Sequence, residues 1–225
     1  MRYPSLISAL VLAFAAAPAT SQPNHVTPEY VGADVSGPGS RLLGTRREAL
    51  SRSQVAFGPF VVIEPTRARL SGITDSLSPQ AFETMLHRFP GIVSLEMNRC
   101  LGTVDDQANL RLGRMIRARG ITTYVPRNGF VGSGAVELFI AGARRFADSS
   151  ASFGVHSWRD ESGREPGDYH PDSLQNGTYI EYYRAMGMNE RDARNFYAMT
   201  NSVPFSRARY LSALQMKGWI NLELR

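Results

Sequence analysis

An α/β domain with a mostly parallel sheet is the fold class this sequence predicts, and three observations predict it. From Phe60 to His156, short β-branched or apolar runs alternate with segments whose apolar residues recur at helical spacing. The connections between them are short and carry glycine or proline where the period changes. The 225 residues, 43% of them hydrophobic and 20% charged, can bury one substantial core, which excludes both a disordered chain and a large multidomain machine. Strand, helix, strand, helix, strand in that order needs crossover connections, and crossovers join parallel strands.

Each element follows from its own residues. Phe60-Val61-Val62-Ile63 is a β-branched run, and Ala68 to Ile73 pairs beside it. Ser78-Pro79 opens a helix with Ser as its cap and Pro in its first turn; Phe82, Met85 and Leu86 form its apolar face, and Pro90-Gly91 stops it. Ile92 to Met97 reads as a buried strand and Asn98 to Asp106 as a polar stretch, whose last residues supply a cap and an acidic first turn for a helix from Gln107 to Arg119. Ile121 to Val125 is a strand, Pro126 to Ser133 a glycine-containing turn, Gly134 to Arg145 a buried helix and Ser152 to His156 a further strand. Beyond an acidic loop from Arg159 to Pro171, helices span Asp172 to Met186 and Glu190 to Thr200, the latter capped by Asn189. Tyr210 to Leu224 reads as strand, helical turn and strand.

The N-terminal 54 residues differ in kind. Arg2, the uncharged run Leu6 to Ala17 and the small residues up to Ser21 have the form of a cleavable secretory signal, since twelve apolar residues are too few to span a ~30 Å hydrocarbon layer. Residues 22–54, rich in Pro, Gly, Ser and Arg, read as a flexible arm, and residues 55–225 as the domain. The expected location is therefore periplasmic or secreted, with no stable membrane span after cleavage. Loss of Arg2 lowers the formal charge from +5 to +4, spread along the chain without interleaved aromatics, so nucleic acid is not an expected partner. Cys100 is the single cysteine and excludes an intramolecular disulfide. It reads as a packed core residue or, more sharply, as a thiol nucleophile. Arginine supplies 24 of the 25 cations; the one lysine, Lys217, lies far in sequence from the turns that could carry chemistry.

The chemistry is concentrated in Gly129-Phe130-Val131-Gly132-Ser133-Gly134-Ala135, which joins a strand to a helix. A serine at the start of a helix sits among main-chain N–H groups that can hold a developing oxyanion. The pattern is not Gly-x-Ser-x-Gly, because position 131 is Val, and no Lys-Ser/Thr follows to make a phosphate loop. His156 lies 23 residues beyond Ser133 at the end of a strand, and histidine is the side chain suited to accept a serine proton near neutral pH.

Ser133-Gly134-Ala135-Val136-Glu137-Leu138-Phe139-Ile140-Ala141-Gly142, Ala143-Arg144-Arg145-Phe146 and Ala151-Ser152-Phe153-Gly154-Val155-His156 together resemble the core of the Clp protease proteolytic subunit and its crotonase-fold relatives. Gly102-Thr103-Val104-Asp105-Asp106 and Val155-His156-Ser157-Trp158 are similar to an exported branch of that family. The resemblance covers residues 58–220. It implies a sheet of ββα units with flanking helices and a C-terminal helical segment, a Ser133 nucleophile, a His156 general base, oxyanion donors at Gly134 and Gly102, a peptide or other acyl substrate, no cofactor and a homo-oligomer. Two departures stand out. The family's paired glycines become Leu101-Gly102, and where the family places its triad aspartate this chain reads Ser206-Arg207-Ala208-Arg209-Tyr210. Ser206, Asn201 or Asp160 would then orient His156, or the pair acts as a dyad.

The expectation is an exported serine hydrolase of peptidase type; the alternative is a non-catalytic periplasmic binding or scaffold protein on the same fold. Acyl-CoA chemistry fits poorly outside the cytoplasm. Asp168, His170 and Asp172 have no metal-ligand spacing and read as a solvated loop, so no metal is expected. Asn176-Gly177-Thr178 fits a glycosylation sequon.

Overall fold

The computed structural model describes residues 55–225; the expected signal (1–21) and the expected arm (22–54) lie outside the described residues. Strands β1 (Val55–Phe57), β2 (Phe60–Glu64) and β3 (Arg67–Thr74) form an antiparallel meander, its first turn made by Gly58 at φ +53°. From β3 onward the sheet is mostly parallel: β4 (Ser94–Thr103) pairs with β3, and β5 (Thr122–Val125), β6 (Phe130–Gly132), β7 (Arg145–Ala147), β8 (Ser152–Val155) and β10 (Glu223–Leu224) all join in parallel ladders. Only β9 (Arg209–Ser212) returns antiparallel, against β8.

Strand β4 determines the architecture. Ser94–Glu96 pairs with β5, whereas Cys100 pairs with Val131 of β6, so one strand feeds two diverging branches, β5-β7-β10 and β6-β8-β9. Between these halves Arg99 has φ +56° and the ladder to β3 slips around Gly72. An L-residue there is strained, and such an irregularity bends a strand away from its first partner. The polar stretch after Met97 is therefore a strand continuing to Thr103 rather than a loop. Its polar residues fall on the more open positions, as at Asn98 and Arg99, while Cys100 and Gly102 turn inward.

Six helices accompany the sheet among the described residues. In α1 (Ser78–Arg88), Phe82, Met85 and Leu86 are buried on one face. Its cap is Leu77, not Ser78: the Ser78 hydroxyl donates to Asp75 Oδ1 at 2.8 Å and accepts from the Asp75 N–H, closing the preceding turn instead. Helix α2 (Asp106–Ala118) is capped by Asp105, whose carboxylate accepts from the Ala108 N–H at 2.9 Å. The apolar segment after Ser133 yields only six helical residues, α3 (Ala135–Ile140). Side chains from other elements end it: Thr123 donates to the Phe139 carbonyl, Arg145 to that of Ile140 and Arg117 to that of Gly142. Arg145 then begins β7 rather than extending the helix. The chain continues through a 3-10 turn (Pro166–Asp168), α4 (Leu174–Ala185) capped by Ser173, α5 (Glu190–Thr200) capped by Asn189, and α6 (Ala213–Lys217). Leu70, Leu95, Met97, Leu112, Ile116, Phe139, Phe153 and Phe196 are fully enclosed, each such side chain contributing about 1.5–3 kcal/mol on burial. No helix of the described residues is long and apolar enough to cross a membrane.

Candidate active site

Parallel strands β6 and β8 lie side by side with Gly132 opposite Gly154, so Ser133 and His156 emerge from the same end of adjacent strands. The Ser133 backbone is at φ +53°, one of three non-glycine residues in the left-handed region among the described residues. Two main-chain bonds hold it there: its N–H donates to the Gly154 carbonyl at 2.8 Å and its carbonyl accepts from the Val136 N–H at 2.9 Å. Its hydroxyl makes no hydrogen bond to any described residue. Strain of about 1–2 kcal/mol at a serine whose hydroxyl ties nothing down points to a role other than stability.

Gly102, at φ +131°, faces that serine: a Cβ at position 102 would stand 2.8 Å from Ser133 Cβ and 3.1 Å from its Oγ. Gly134 caps α3, and its carbonyl accepts from Asn109 Nδ2 at 2.6 Å. The other carboxamide atom is held too, since the Thr74 hydroxyl donates to Asn109 Oδ1 at 2.9 Å. Asn109, buried in α2, thus fixes the Gly134–Ala135 peptide, one residue beyond the serine, a part that the sequence alone did not disclose.

His156 is half-buried at the end of β8 with its Nδ1 2.8 Å from the Ser157 carbonyl. A carbonyl can only accept, so that bond requires the proton on Nδ1 and leaves the Nε2 lone pair free. The Ser157 main chain is itself anchored, its N–H and hydroxyl both donating to the Val203 carbonyl at 2.9 Å. Phe205 and the imidazole meet nearly at right angles with ring centres 5.0 Å apart, and the Arg159 guanidinium lies over the Phe205 ring, 4.1 Å from its centre. No hydrogen bond joins Ser133 to His156, whose side chains stand at adjoining strand ends.

None of the three expected orienters bonds His156. Ser206 is exposed. Asn201 ends α5, its amide donating to the Tyr197 carbonyl at 2.7 Å and its Oδ1 accepting from the Trp158 N–H. Asp160 closes its own loop, accepting from the Tyr169 hydroxyl and from the N–H groups of Ser162 and Arg164, and these bonds hold its carboxyl below the usual range. Cys100 is packed rather than poised: its thiol contacts the Leu70 carbonyl, and burial raises its pKa to about 12, which removes the thiolate a nucleophile needs. Lys217 is exposed on the last turn of α6. Among the described residues no three His, Cys, Asp or Glu side chains gather to hold a metal. The Asn176 sequon is closed in the folded chain, because its buried amide donates to the Pro166 and His170 carbonyls and accepts from the Tyr197 hydroxyl.

ClpP1 from Listeria monocytogenes superposes with a TM-score of 0.51 at 15% identity, over 72% of this chain and 91% of that one. The chain has the ClpP/crotonase fold. The 1510-N membrane protease specific for a stomatin homolog, from Pyrococcus horikoshii, gives a TM-score of 0.45 at 10% identity over 71% of each chain. A mutant of a 1510-N stomatin-specific protease in complex with a substrate peptide gives 0.47 at 12% identity, over 71% of this chain and 73% of that one. No family model and no curated protein sequence matches the chain.

Next to the serine turn lies a buried carboxyl. Glu137, in the first turn of α3, accepts from the Tyr183 hydroxyl at 2.8 Å, and the Tyr182 hydroxyl donates to its main-chain carbonyl at 2.7 Å. Burial is the main cause that raises its pKa from 4.5 to about 7, against the Tyr183 bond, which lowers it. Between those two values the folded state keeps a proton that the unfolded chain has lost. Its stabilising contribution is therefore complete below the unfolded pKa and is lost as pH rises to the folded one. Urea unfolding of wild type and Glu137→Gln at about pH 5 and about pH 8 is expected to show Gln gaining on wild type by about 3 kcal/mol toward the higher pH.

Proposed function

We propose that this chain is an exported serine hydrolase of peptidase type in which Ser133 is the nucleophile and His156 the general base. The observation that carries the reading is the strained, left-handed Ser133, whose hydroxyl has no structural partner among the described residues. Around it, His156 Nε2 is free at the adjacent strand end, and the backbones of Gly102 and Gly134 flank the serine. In the reaction, Nε2 removes the Oγ proton as Oγ bonds to the acyl carbon, and the carbonyl π pair moves onto its oxygen. The Gly134 N–H, with Gly102 opposite, would receive that oxyanion. Collapse of the tetrahedral adduct expels the leaving group, which takes the proton from Nε2; water then repeats the sequence to release the acid.

A panel of activated esters and short peptide amides tests this. Ser133→Ala and His156→Ala are each expected to lower turnover about 10⁴-fold while leaving the unfolding curve close to wild type. Wild-type turnover that persists in Ser133→Ala would overturn the assignment. A non-catalytic scaffold is the second reading, favoured by the missing Ser133–His156 hydrogen bond and the absence of a carboxylate on Nδ1. It predicts no turnover in any variant.

A further inference from the structure

Three arginines border His156, and none of them is paired with a carboxylate of the described residues. The chain from Val203 to Arg209 is pinned on both sides of the histidine. The Val203 carbonyl accepts the Ser157 N–H at 2.9 Å, and Arg209 stands opposite Val155 in the β8–β9 register. Between these points the Arg207 N–H donates to the Pro204 carbonyl at 2.9 Å, closing a turn that carries Phe205 against the imidazole. In this run the resemblance places an aspartate, and here it carries two guanidiniums instead. Arg159, three residues beyond His156, adds a third over the Phe205 ring. The two ring distances together hold that guanidinium to no more than about 9 Å from the imidazole centre, within about one screening length at physiological ionic strength.

The acids of the neighbouring loop are already committed. Asp160 is paired with Arg164 at 3.3 Å and accepts from Tyr169; Glu165 accepts the Phe205 N–H at 3.0 Å, and Asp168 accepts that of Glu165 at 2.8 Å. Arg159, Arg207 and Arg209 are all exposed. The aromatic face steadies Arg159, and the Ser202 hydroxyl, accepting from Nη1 at 3.4 Å, steadies Arg209; each keeps most of its N–H donors for another acceptor. Like charges gathered without partners repel one another, a cost that an arriving anion removes. The planar fork of arginine matches a carboxylate with two parallel N–H···O bonds.

We propose that these arginines select substrates with a carboxylate within about three residues of the bond held between Ser133 and His156, an extended peptide advancing about 3.3 Å per residue. Arg159 and Arg209 make the principal contacts, and Arg207 adds attraction at longer range. The proposal rests on the serine-hydrolase reading. The carboxylate can come from two sources, an internal aspartate or glutamate side chain or the free C-terminus of a short peptide.

Protection of Ser133 from fluorophosphonate capture tests it, with acetylated alanine-based pentapeptides carrying Glu, Gln or Lys at one position, each with a free or an amidated C-terminus. At about 0.05 M salt the Glu peptide is expected to half-protect at about one-tenth the concentration its Gln counterpart needs, and the Lys peptide to protect least. At about 1 M salt that difference should all but vanish, a test on wild type that needs no variant. Arg159→Gln and Arg209→Gln should each reduce it about threefold, and adding Arg207→Gln to both should abolish it, whereas Arg159→Lys should retain part. Superiority of Glu in the amidated peptides assigns the arginines to a side-chain carboxylate; superiority of the free C-terminus, whatever the residue, assigns them to a terminal one; either upholds the proposal. Equal protection by all the peptides, protection by none, or a preference that persists in the folded triple variant overturns it, while wild type that still labels at Ser133 leaves the serine-hydrolase reading intact. Wild type that fails to label overturns both.

Discussion

Gly113→Ala is expected to lower the stability of the domain by about 3 kcal/mol, or about 10 °C in Tm, although alanine is ordinarily the better helix former. Gly113 lies in the middle of α2 where the Tyr182 side chain crosses it, and an added Cβ would overlap the Tyr182 hydroxyl and stand 2.8 Å from Cζ. The tyrosine cannot step aside cheaply. It is fully buried, and its hydroxyl donates to the Glu137 carbonyl at 2.7 Å. Displacing it costs overpacking of about 1–3 kcal/mol and a buried hydrogen bond of about 1–3 kcal/mol, offset by about 1 kcal/mol of helix propensity. Urea denaturation of Gly113→Ala, Tyr182→Phe and the double variant checks the mechanism. Since both changes act on one contact, the double variant should lose less than the two singles together.

Gly102→Ala is expected to leave a folded protein that has lost about 10³-fold of the Ser133 reactivity, an effect comparable to the loss of an oxyanion donor. Two causes combine. The backbone at φ +131° disfavours any side chain, and the new methyl would lie within 2.8 Å of Ser133 Cβ, pushing the nucleophile out of its turn. Stopped-flow or gel-based capture by a fluorophosphonate reports the rate. Thermal unfolding separates the two causes, because in a Ser133→Gly background the same Gly102→Ala change should cost less stability, only the backbone strain remaining. Capture at the wild-type rate in Gly102→Ala would show that position 102 does not form the serine's surroundings.

Much of the scaffold was legible because its signals are local. The alternation of period from Phe60 to His156 matches the parallel core, Asp105 and Asn189 cap the helices that follow them, and Ser133 and His156 stand at neighbouring strand ends as their places in the chain implied. The unread parts depend on distant partners. The segment after Ser133 looks helical as far as Arg145, and it stops at Ile140 because Thr123, Arg117 and Arg145 meet its carbonyls. Strand β4 runs on through polar residues because the bend at Arg99 hands it to a second set of neighbours. The partner of His156 left no trace in the sequence, since a main-chain carbonyl has no side chain by which to be recognised.

If Ser133 is the nucleophile proposed above, activated by His156, it reacts covalently with a fluorophosphonate. Peptide mapping by mass spectrometry after treatment of the purified protein with a fluorophosphonate tests it most directly. A single covalent adduct is expected on the peptide carrying Ser133, absent in Ser133→Ala and slowed about 10³-fold or more in His156→Ala. Unmodified wild-type protein, or an adduct on another residue that persists in Ser133→Ala, would contradict it.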